Sequence, residues 1–453
     1  MPNTPISVDE AVNEALRPYV PRLLVDWLRS GDTARVREVT GTLAFADISG
    51  FTKLTERLAR KGKVGAEEMN DLLDAVFTEL LEIAYLDGAG LIKWGGDAVL
   101  LLFEGQDHAA RACRAAHGMR RALRDRGRMQ SSAGYVSLRM SVGIHTGVFH
   151  FFLVGDSHCE LIIAGPDASR TVTVESQATA GEILLSAATA AQLDPVAVGR
   201  PKEGGFLLRS APDVPYPGWV PPPDLAGLEL ERGLPAGLRH HLRGAAAPEA
   251  EHRLIAIAFL EFRGTDELLE RKGVEAVANA LDECVRTVQE ESARHAVTFL
   301  DSDISHDGGK ILLVAGAPSS SGHDEEAMLL AARSIMDRTG RLPLRIGVNA
   351  GRVFAAVFGP PYRRSYSVRG DAVNLAARVM GKAAEGQILA TEAALARSRT
   401  RFETQELPPF TVKGKAKPVR AFELGAPDRR PSPDRSRGRD ASAVRCARGG
   451  HST

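Results

Sequence analysis

The feature that most limits what this chain can fold into is that it contains itself twice. GTLAFADISGFTKLTERL (Gly41–Leu58) is answered by RLIAIAFLEFRGTDELLE (Arg253–Glu270): an apolar run, an acidic residue, a glycine and a helical pattern. LIKWGGDAVLLLF (Leu91–Phe103) is answered by ISHDGGKILLVAG (Ile304–Gly316), each read as a Gly-Gly turn between two apolar runs. LRMSVGIHTGVF then matches LRIGVNAGRVF, and Gly165–Leu185 pairs without a gap with Gly370–Ala390. Blocks repeating in one order at this length mark a duplicated domain.

Each copy has to bury its own core, and a chain of 453 residues is long enough for two such domains. Basic and acidic residues balance at 57 each, so nothing points to nucleic acid or an acidic membrane as partner. The cysteines (Cys113, Cys159, Cys284, Cys446) have no CxxC spacing, which argues against a zinc site or a disulfide frame. No apolar run approaches the ~18–20 residues of a membrane span, and the N-terminus lacks a signal pattern. The expected location is the cytoplasm, with no membrane insertion.

Periodicity gives the elements. Met69, Leu72, Leu73, Val76, Phe77, Leu80 and Leu81 recur three and four apart, as on one face of a helix. The hairpin that follows turns at Gly95-Gly96-Asp97, where glycines supply positive φ. Each half reads strand, helix, hairpin, helix, strand, strand, which predicts an α+β fold of two ferredoxin-like domains. The expected division is an N-terminal helical segment over 1–40, a first domain over 41–190 and a proline-rich linker over 191–250. A second domain over 251–425 and a disordered, arginine-rich tail over 426–453 complete it. Leu16, Val20, Leu23, Leu24, Trp27 and Leu28 form a helical stripe expected to pack on the first half or across the pair.

Chemistry emerges where the copies differ. Asp47 ends an apolar strand and Asp97 lies in the hairpin turn beside it, so both carboxylates can converge. With the Ile48 carbonyl they make a hard oxygen set suited to Mg²⁺ or Mn²⁺. Ser49, Gly50, Phe51 and Thr52 open a helix whose free N–H groups can hold phosphate. In the second copy Glu261 stands opposite Asp47, and Lys310 is placed opposite Asp97, so no second metal site is expected. That copy instead has YSVRGDAVNLAARV, with Asn374 and Arg378 four apart on one helix face. Their counterparts in the first copy are Ser169 and Thr173.

FADISGFT, KWGGDAVLLLF, RIGVNAG and YSVRGDAVNLAAR resemble the class III adenylate and guanylate cyclases. The tandem arrangement is similar to the soluble adenylyl cyclase core and its bacterial relatives. The resemblance implies a pseudo-symmetric intramolecular heterodimer, active as a monomer. Two metal ions would be held by Asp47, Ile48 and Asp97, with Asn374 and Arg378 as catalytic residues supplied by the other half. It implies Lys413 as a phosphate ligand, and Ser367 and Val368 in the base pocket. His306, with Asp303 and Lys310 nearby, takes the place of the first base-reading residue. Neither the glutamate nor the cysteine of guanylate cyclases is found there, so ATP is the expected substrate. Lys93 matches a lysine that helps hold regulatory bicarbonate in the soluble enzyme. Arg170, two residues out of register, would be its partner. Guanylate cyclase and a catalytically inert nucleotide- or anion-sensing pair remain the alternatives.

Overall fold

The computed structural model describes residues 8–50, 57–58, 63–96, 98–132, 134–218, 222–243, 250–338, 340–412 and 418–428. Phe51, Thr52, Asp97 and Lys413 lie outside that set, as does nearly all of the tail.

Two helices, α1 (Val8–Leu16) and α2 (Arg22–Arg29), precede the first domain. That domain comprises β1 (Val36–Ser49), α3 (Lys63–Leu86), β2 (Ala89–Gly95), β3 (Ala98–Glu104) and α4 (His108–Arg126). It continues with β4 (Arg139–Val154), β5 (Glu160–Ala164), α5 (Pro166–Gln177), β6 (Ile183–Leu185), β7 (Val198–Lys202) and β8 (Gly205–Leu208). The strands are ordered β2-β3-β1-β4-β6-β8-β7, with β5 paired to β4.

After a linker carrying α6 (Ala236–Leu242), the design recurs. Its elements are β9 (Glu251–Arg263), α7 (Thr265–Lys272), α8 (Val274–Arg294), β10 (Thr298–Ser305), β11 (Gly308–Ala315) and α9 (Asp324–Arg338). Then come β12 (Leu344–Phe358), β13 (Ser365–Arg369), α10 (Asp371–Met380), β14 (Ile388–Thr391), β15 (Phe402–Glu406) and β16 (Ala421–Pro427). The order β10-β11-β9-β12-β14-β16-β15, with β13 on β12, repeats the first sheet strand for strand.

The register explains why glycine recurs in the matched blocks. Gly143 and Gly347 face the helices α5 and α10 so closely that a β-carbon would lie 2.2 Å from the Glu175 nitrogen and 2.1 Å from that of Met380. Only glycine permits that approach.

The halves are interlocked. β4 and β12 are longer than their own sheets require, and their C-terminal ends cross to the partner half. Phe354, Ala356 and Phe358 join the core built on α3 and α4, while Phe152, Val154, Ile162 and Ala164 join the core built on α8 and α9. One bond recurs on both sides: the Gly155 N–H donates to Asp282 Oδ1 at 2.9 Å, and the Gly359 N–H to Asp74 Oδ1 at 2.9 Å. The two halves are thus related by an approximate two-fold axis.

The expected divisions shift at three places. β1 begins at Val36, and β7 with β8 extends the first sheet to Leu208, so residues 191–208 belong to the domain rather than the linker. β16 carries the second sheet to Pro427, past the expected edge of the tail. The N-terminal stripe breaks into two helices around Pro18 and Pro21, because proline cannot continue a helix interior. It then spans the pair, with Leu16, Val20 and Leu24 against the linker and second sheet, and Trp27 against the first. Asn13 holds this strap in place, its side chain bonded to the Leu228 carbonyl at 2.7 Å and the Leu230 N–H at 3.3 Å. No helix among the described residues is long and apolar enough to cross a membrane.

Candidate active site between the two halves

Alternation along β1 sends Ala44, Ala46 and Ile48 into the α3–α4 core. Leu43, Phe45 and Asp47 take the opposite face, where Leu43 and Phe45 pack with Ile304 of the second half. Asp47 is therefore presented toward the partner domain, opposite Ala98 on β3 and Ser141 on β4. β3 therefore begins, at Ala98, beside Asp47. Gly50 then turns the chain at φ 111°, and its neighbour Ser49 donates its hydroxyl to the Arg139 carbonyl at 3.2 Å.

Across the interface, α10 lies on its sheet through Ala372, Ala376, Val379 and Met380. Asn374 and Arg378 leave from its other side, half-exposed. Neither side chain has a hydrogen bond or ion pair with the described residues. The helix is pinned at its start to the first half, since the Arg369 guanidinium lies over the rings of Phe358 at 3.9 Å and Phe77 at 5.5 Å. Ser367 and Val368, half-buried and buried, belong to the strand that leads into it.

The mirror-related location is closed. Ser169, the counterpart of Asn374, accepts the Asp307 N–H at 2.7 Å, and the Thr173 hydroxyl donates to the Ser169 carbonyl at 2.9 Å. Glu261 is captured by Arg345 Nε at 2.5 Å, Arg263 at 3.0 Å and the Ser305 hydroxyl at 2.7 Å. Burial would raise the Glu261 pKa, but these partners outweigh it and hold the group below the usual carboxylate range. A carboxylate so neutralised has little left for a cation.

The reason differs from the sequence-based one. The second hairpin is two residues longer on each strand, so it turns at His306-Asp307, and Gly308-Gly309 lie inside β11. Lys310 pairs with Glu261 as Ala98 pairs with Asp47, so it is not the counterpart of Asp97. The cation that matters is Arg345, which occupies the place of Ser141. Ser141→Arg should therefore copy the neutralised arrangement onto Asp47. For the nucleotide cyclase that the sequence resembles, the expected result is a loss of turnover of ~100-fold or more with the circular dichroism spectrum preserved. Turnover within a few-fold of the parent would separate Asp47 from the chemistry.

His306 is corrected by the same register. Its turn is held against α5 by Ser169, whereas Ser367 leads into α10, so the two do not form one base pocket. The ladder brings out another residue of that strand. Lys93 faces Leu100 just after a bulge, and Asp301 faces Leu312 just after an equivalent bulge. Leu100 and Leu312 in turn face Phe45 and Phe259, which face Gly143 and Gly347. Lys93 and Asp301 are thus counterparts, and Asp303 is the counterpart of Gly95.

The two counterparts also meet. Lys93 Nζ donates to Glu160 Oε1 at 2.6 Å and Ser302 Oγ at 2.9 Å, and lies 3.6 Å from Asp301 Oδ1. Burial alone would depress the Lys93 pKa, but Glu160 and Asp301 reverse the sign and hold it raised. Burial, reinforced by Glu160 and Asp303, pushes Asp301 up to about 7 against the pull of Lys93. The expected pairing of Lys93 with Arg170 around an anion is not assembled: Lys93 is committed to carboxylates, and the exposed Arg170 donates to the Gly204 carbonyl at 3.0 Å. The acidic alternation in LDSD (Leu300–Asp303), inside a strand between apolar residues, was the sequence signal for this cluster.

Both halves match the family model for the adenylate and guanylate cyclase catalytic domain, over residues 34–213 and 248–424. The chain belongs to the class III nucleotide cyclase family. An uncharacterised protein of Mycobacterium bovis is 32% identical over 197 residues, 37% of this chain and 35% of that protein. Adenylate cyclase type 10 of Oryctolagus cuniculus is 22% identical over 417 residues, 80% of this chain and 25% of that one. The chain spans about a third of the length of the mycobacterial relative and a quarter of the rabbit one. A solved class III adenylyl cyclase-like ATP-binding protein from Pseudomonas aeruginosa shares the fold over both halves. It covers 87% of this chain and 94% of its own, with a TM-score of 0.57 at 12% identity.

Proposed function

We propose that this cyclase-family chain converts ATP to 3′,5′-cyclic AMP and pyrophosphate at one site, between Asp47 of the first half and α10 of the second. The observation that carries the reading is a contrast between counterparts. Asn374 and Arg378 have no protein partner among the described residues, while Ser169 and Thr173 are both consumed by local bonds. Both side chains are half-exposed and point away from their own sheet, so an amide and a guanidinium left open on this side only suit a polar, anionic substrate there.

The donor set fits a hard divalent cation: the Asp47 carboxylate at a strand end and the Ile48 carbonyl, with Asp97, outside the described residues, as the further proposed ligand. When bound, Mg²⁺ or Mn²⁺ would acidify the ribose 3′-hydroxyl and neutralise the leaving pyrophosphate. Arg378 offers a planar, permanently charged fork to the α-phosphate, on which negative charge grows as the 3′-oxygen attacks and the bond to the bridging oxygen breaks. Asn374, one turn earlier on the same face, can accept from or donate to the ribose hydroxyl and orient the attack. Lys413 and the 51–52 backbone are the proposed triphosphate contacts, and Ser367 and Val368 the base contacts. Pairing of the halves within one chain supplies the complete set to a monomer.

A guanylate cyclase reading is favoured by one observation: the second half carries the carboxylate of Asp301 where the first carries Lys93, and we take that residue, in place of His306, as the first base contact. Its carboxylate can accept from guanine N1–H and N2–H as well as from adenine N6. The test is turnover by the purified full chain of ATP and GTP side by side with Mn²⁺, the cyclic products identified by mass. A higher kcat/KM for ATP is expected. A clear preference for GTP would transfer the assignment to guanylate cyclase, and no cyclic product from either would leave an inert nucleotide-binding pair.

A further inference from the structure

The crossed arms are packed differently on the two sides of the two-fold axis. On the side of α10, the Arg369 guanidinium lies over the ring of Phe358 on the arm at 3.9 Å and over that of Phe77 on α3 at 5.5 Å. Trp94 meets Phe77 edge-on at 5.0 Å. The register gives the counterparts on the other side. Ala164 faces His150 as Arg369 faces Phe354, and Val154 ends its arm where Phe358 ends the other. Val285 lies three residues beyond Asp282, as Phe77 lies three beyond Asp74, and these two aspartates hold the arms. Ala164, Val154 and Val285 are all buried in an aliphatic core.

An alanine and two valines are therefore enough to pack an arm. The cation and the aromatic rings answer a different need on the side of α10. A guanidinium stacked on ring faces, partly out of water, gains from both charge and contact, and its plane fixes its direction.

The need is visible where the helices start. α5 is held through its own first turn: Asp167 accepts the Val148 N–H at 2.7 Å and bonds His145 at 2.9 Å, and Ser169 accepts the Asp307 N–H. In α10, Ala372 and Asn374 stand in those places. Alanine has no side-chain bond to give, and Asn374 is the residue proposed to meet the ribose. The Asn349 amide still reaches the Ala372 carbonyl at 2.8 Å. Gly370 opens the helix at φ 144° with no side-chain cap, and glycine by itself does little to fix the entry angle. The side chain next to it is Arg369.

We propose that Arg369 is a positioning residue: its stack on Phe358 and Phe77 fixes the start of α10 against the first half, and so sets where Asn374 and Arg378 stand relative to Asp47. The lever is long. Arg378 lies eight residues beyond Gly370, roughly 12 Å along the helix, so a tilt of about 5° at the start moves it by about 1 Å. A misplacement of that size can cost up to ~100-fold in rate. The catalytic role rests on the proposed cyclase reading, whereas the clamp itself does not.

The experiment compares the full chain with Arg369→Met, which keeps an unbranched stem and removes the charged plane, and with Phe358→Leu, which removes the ring beneath it. Hydrogen exchange of peptides covering residues 371–380 should be about fivefold faster or more in both variants, with peptides over 166–177 unchanged. Exchange in 371–380 equal to the parent in both variants overturns the clamp. In turnover of ATP with Mn²⁺, Arg369→Met should lower kcat about tenfold or more and leave KM within about threefold. In an Arg378→Ala background the same substitution should cost no more than about threefold, because the main group it positions is gone. A raised KM with kcat unchanged, or a full tenfold loss on top of that of Arg378→Ala, overturns the positioning role. A parent chain that forms no cyclic nucleotide removes the proposed function, and exchange in 371–380 then decides the clamp by itself.

Discussion

Arg378→Ala should lower cyclase turnover by ~100-fold or more while leaving the urea midpoint of the chain unchanged. The guanidinium makes no bond to the described residues, so removing it takes nothing from the fold. Its proposed partner, the α-phosphate, gains charge only as the reaction proceeds, so the loss should fall on kcat and kcat/KM together. Asp47→Asn should reach a comparable loss from the other half. A mixture of the two full-length variants should recover almost nothing. The interlocked arms, with Phe354 and Phe358 in the first core and Phe152 in the second, oppose exchange between chains. Recovery of a sizeable fraction would mean that the halves pair between molecules. Turnover of Arg378→Ala within a few-fold of the parent would remove α10 from the mechanism.

Lys93→Met should destabilise the chain by ~3–5 kcal/mol in urea unfolding. The ammonium and its Glu160 partner are both more than nine-tenths buried, and the methionine would leave the buried Glu160 and its partly exposed neighbour Asp301 with no ammonium between them. Most of that cost is the stranded charge rather than the lost attraction, so Lys93→Met combined with Glu160→Gln should recover a large part of it. The effect belongs to the pairing of the halves, because Lys93 and Glu160 come from the first and Ser302 and Asp301 from the second. A loss below ~1 kcal/mol in the single variant would show that the cluster is hydrated and that the halves are held by their apolar arms alone.

The proposed chemistry was legible early because it is written as contrasts between copies. Asp47 against Glu261, and Asn374 and Arg378 against Ser169 and Thr173, differ in the kind of side chain itself and need no coordinates. The register of the second hairpin was not legible in the same way. Matching Gly95-Gly96 to Gly308-Gly309 is the natural reading of the letters, yet it moves the second hairpin two residues out of register. That slip put Lys310 at a metal position and His306 at a base position, and hid Asp301 and Arg345.

The duplication, the strand and helix periods and the contrast in residue type between the copies were thus determined by sequence alone, since repeated apolar spacing and residue type are properties of the chain itself. Tertiary structure alone decided which of those residues face each other. A hairpin can lengthen on both strands without disturbing its alternation, so hydrophobic pattern cannot count the rungs, whereas hydrogen bonds to β9 do. The same holds for Lys93 and Asp301. They are brought together only because the ends of β4 and β12 cross between the halves, burying charges that each half on its own would leave in water.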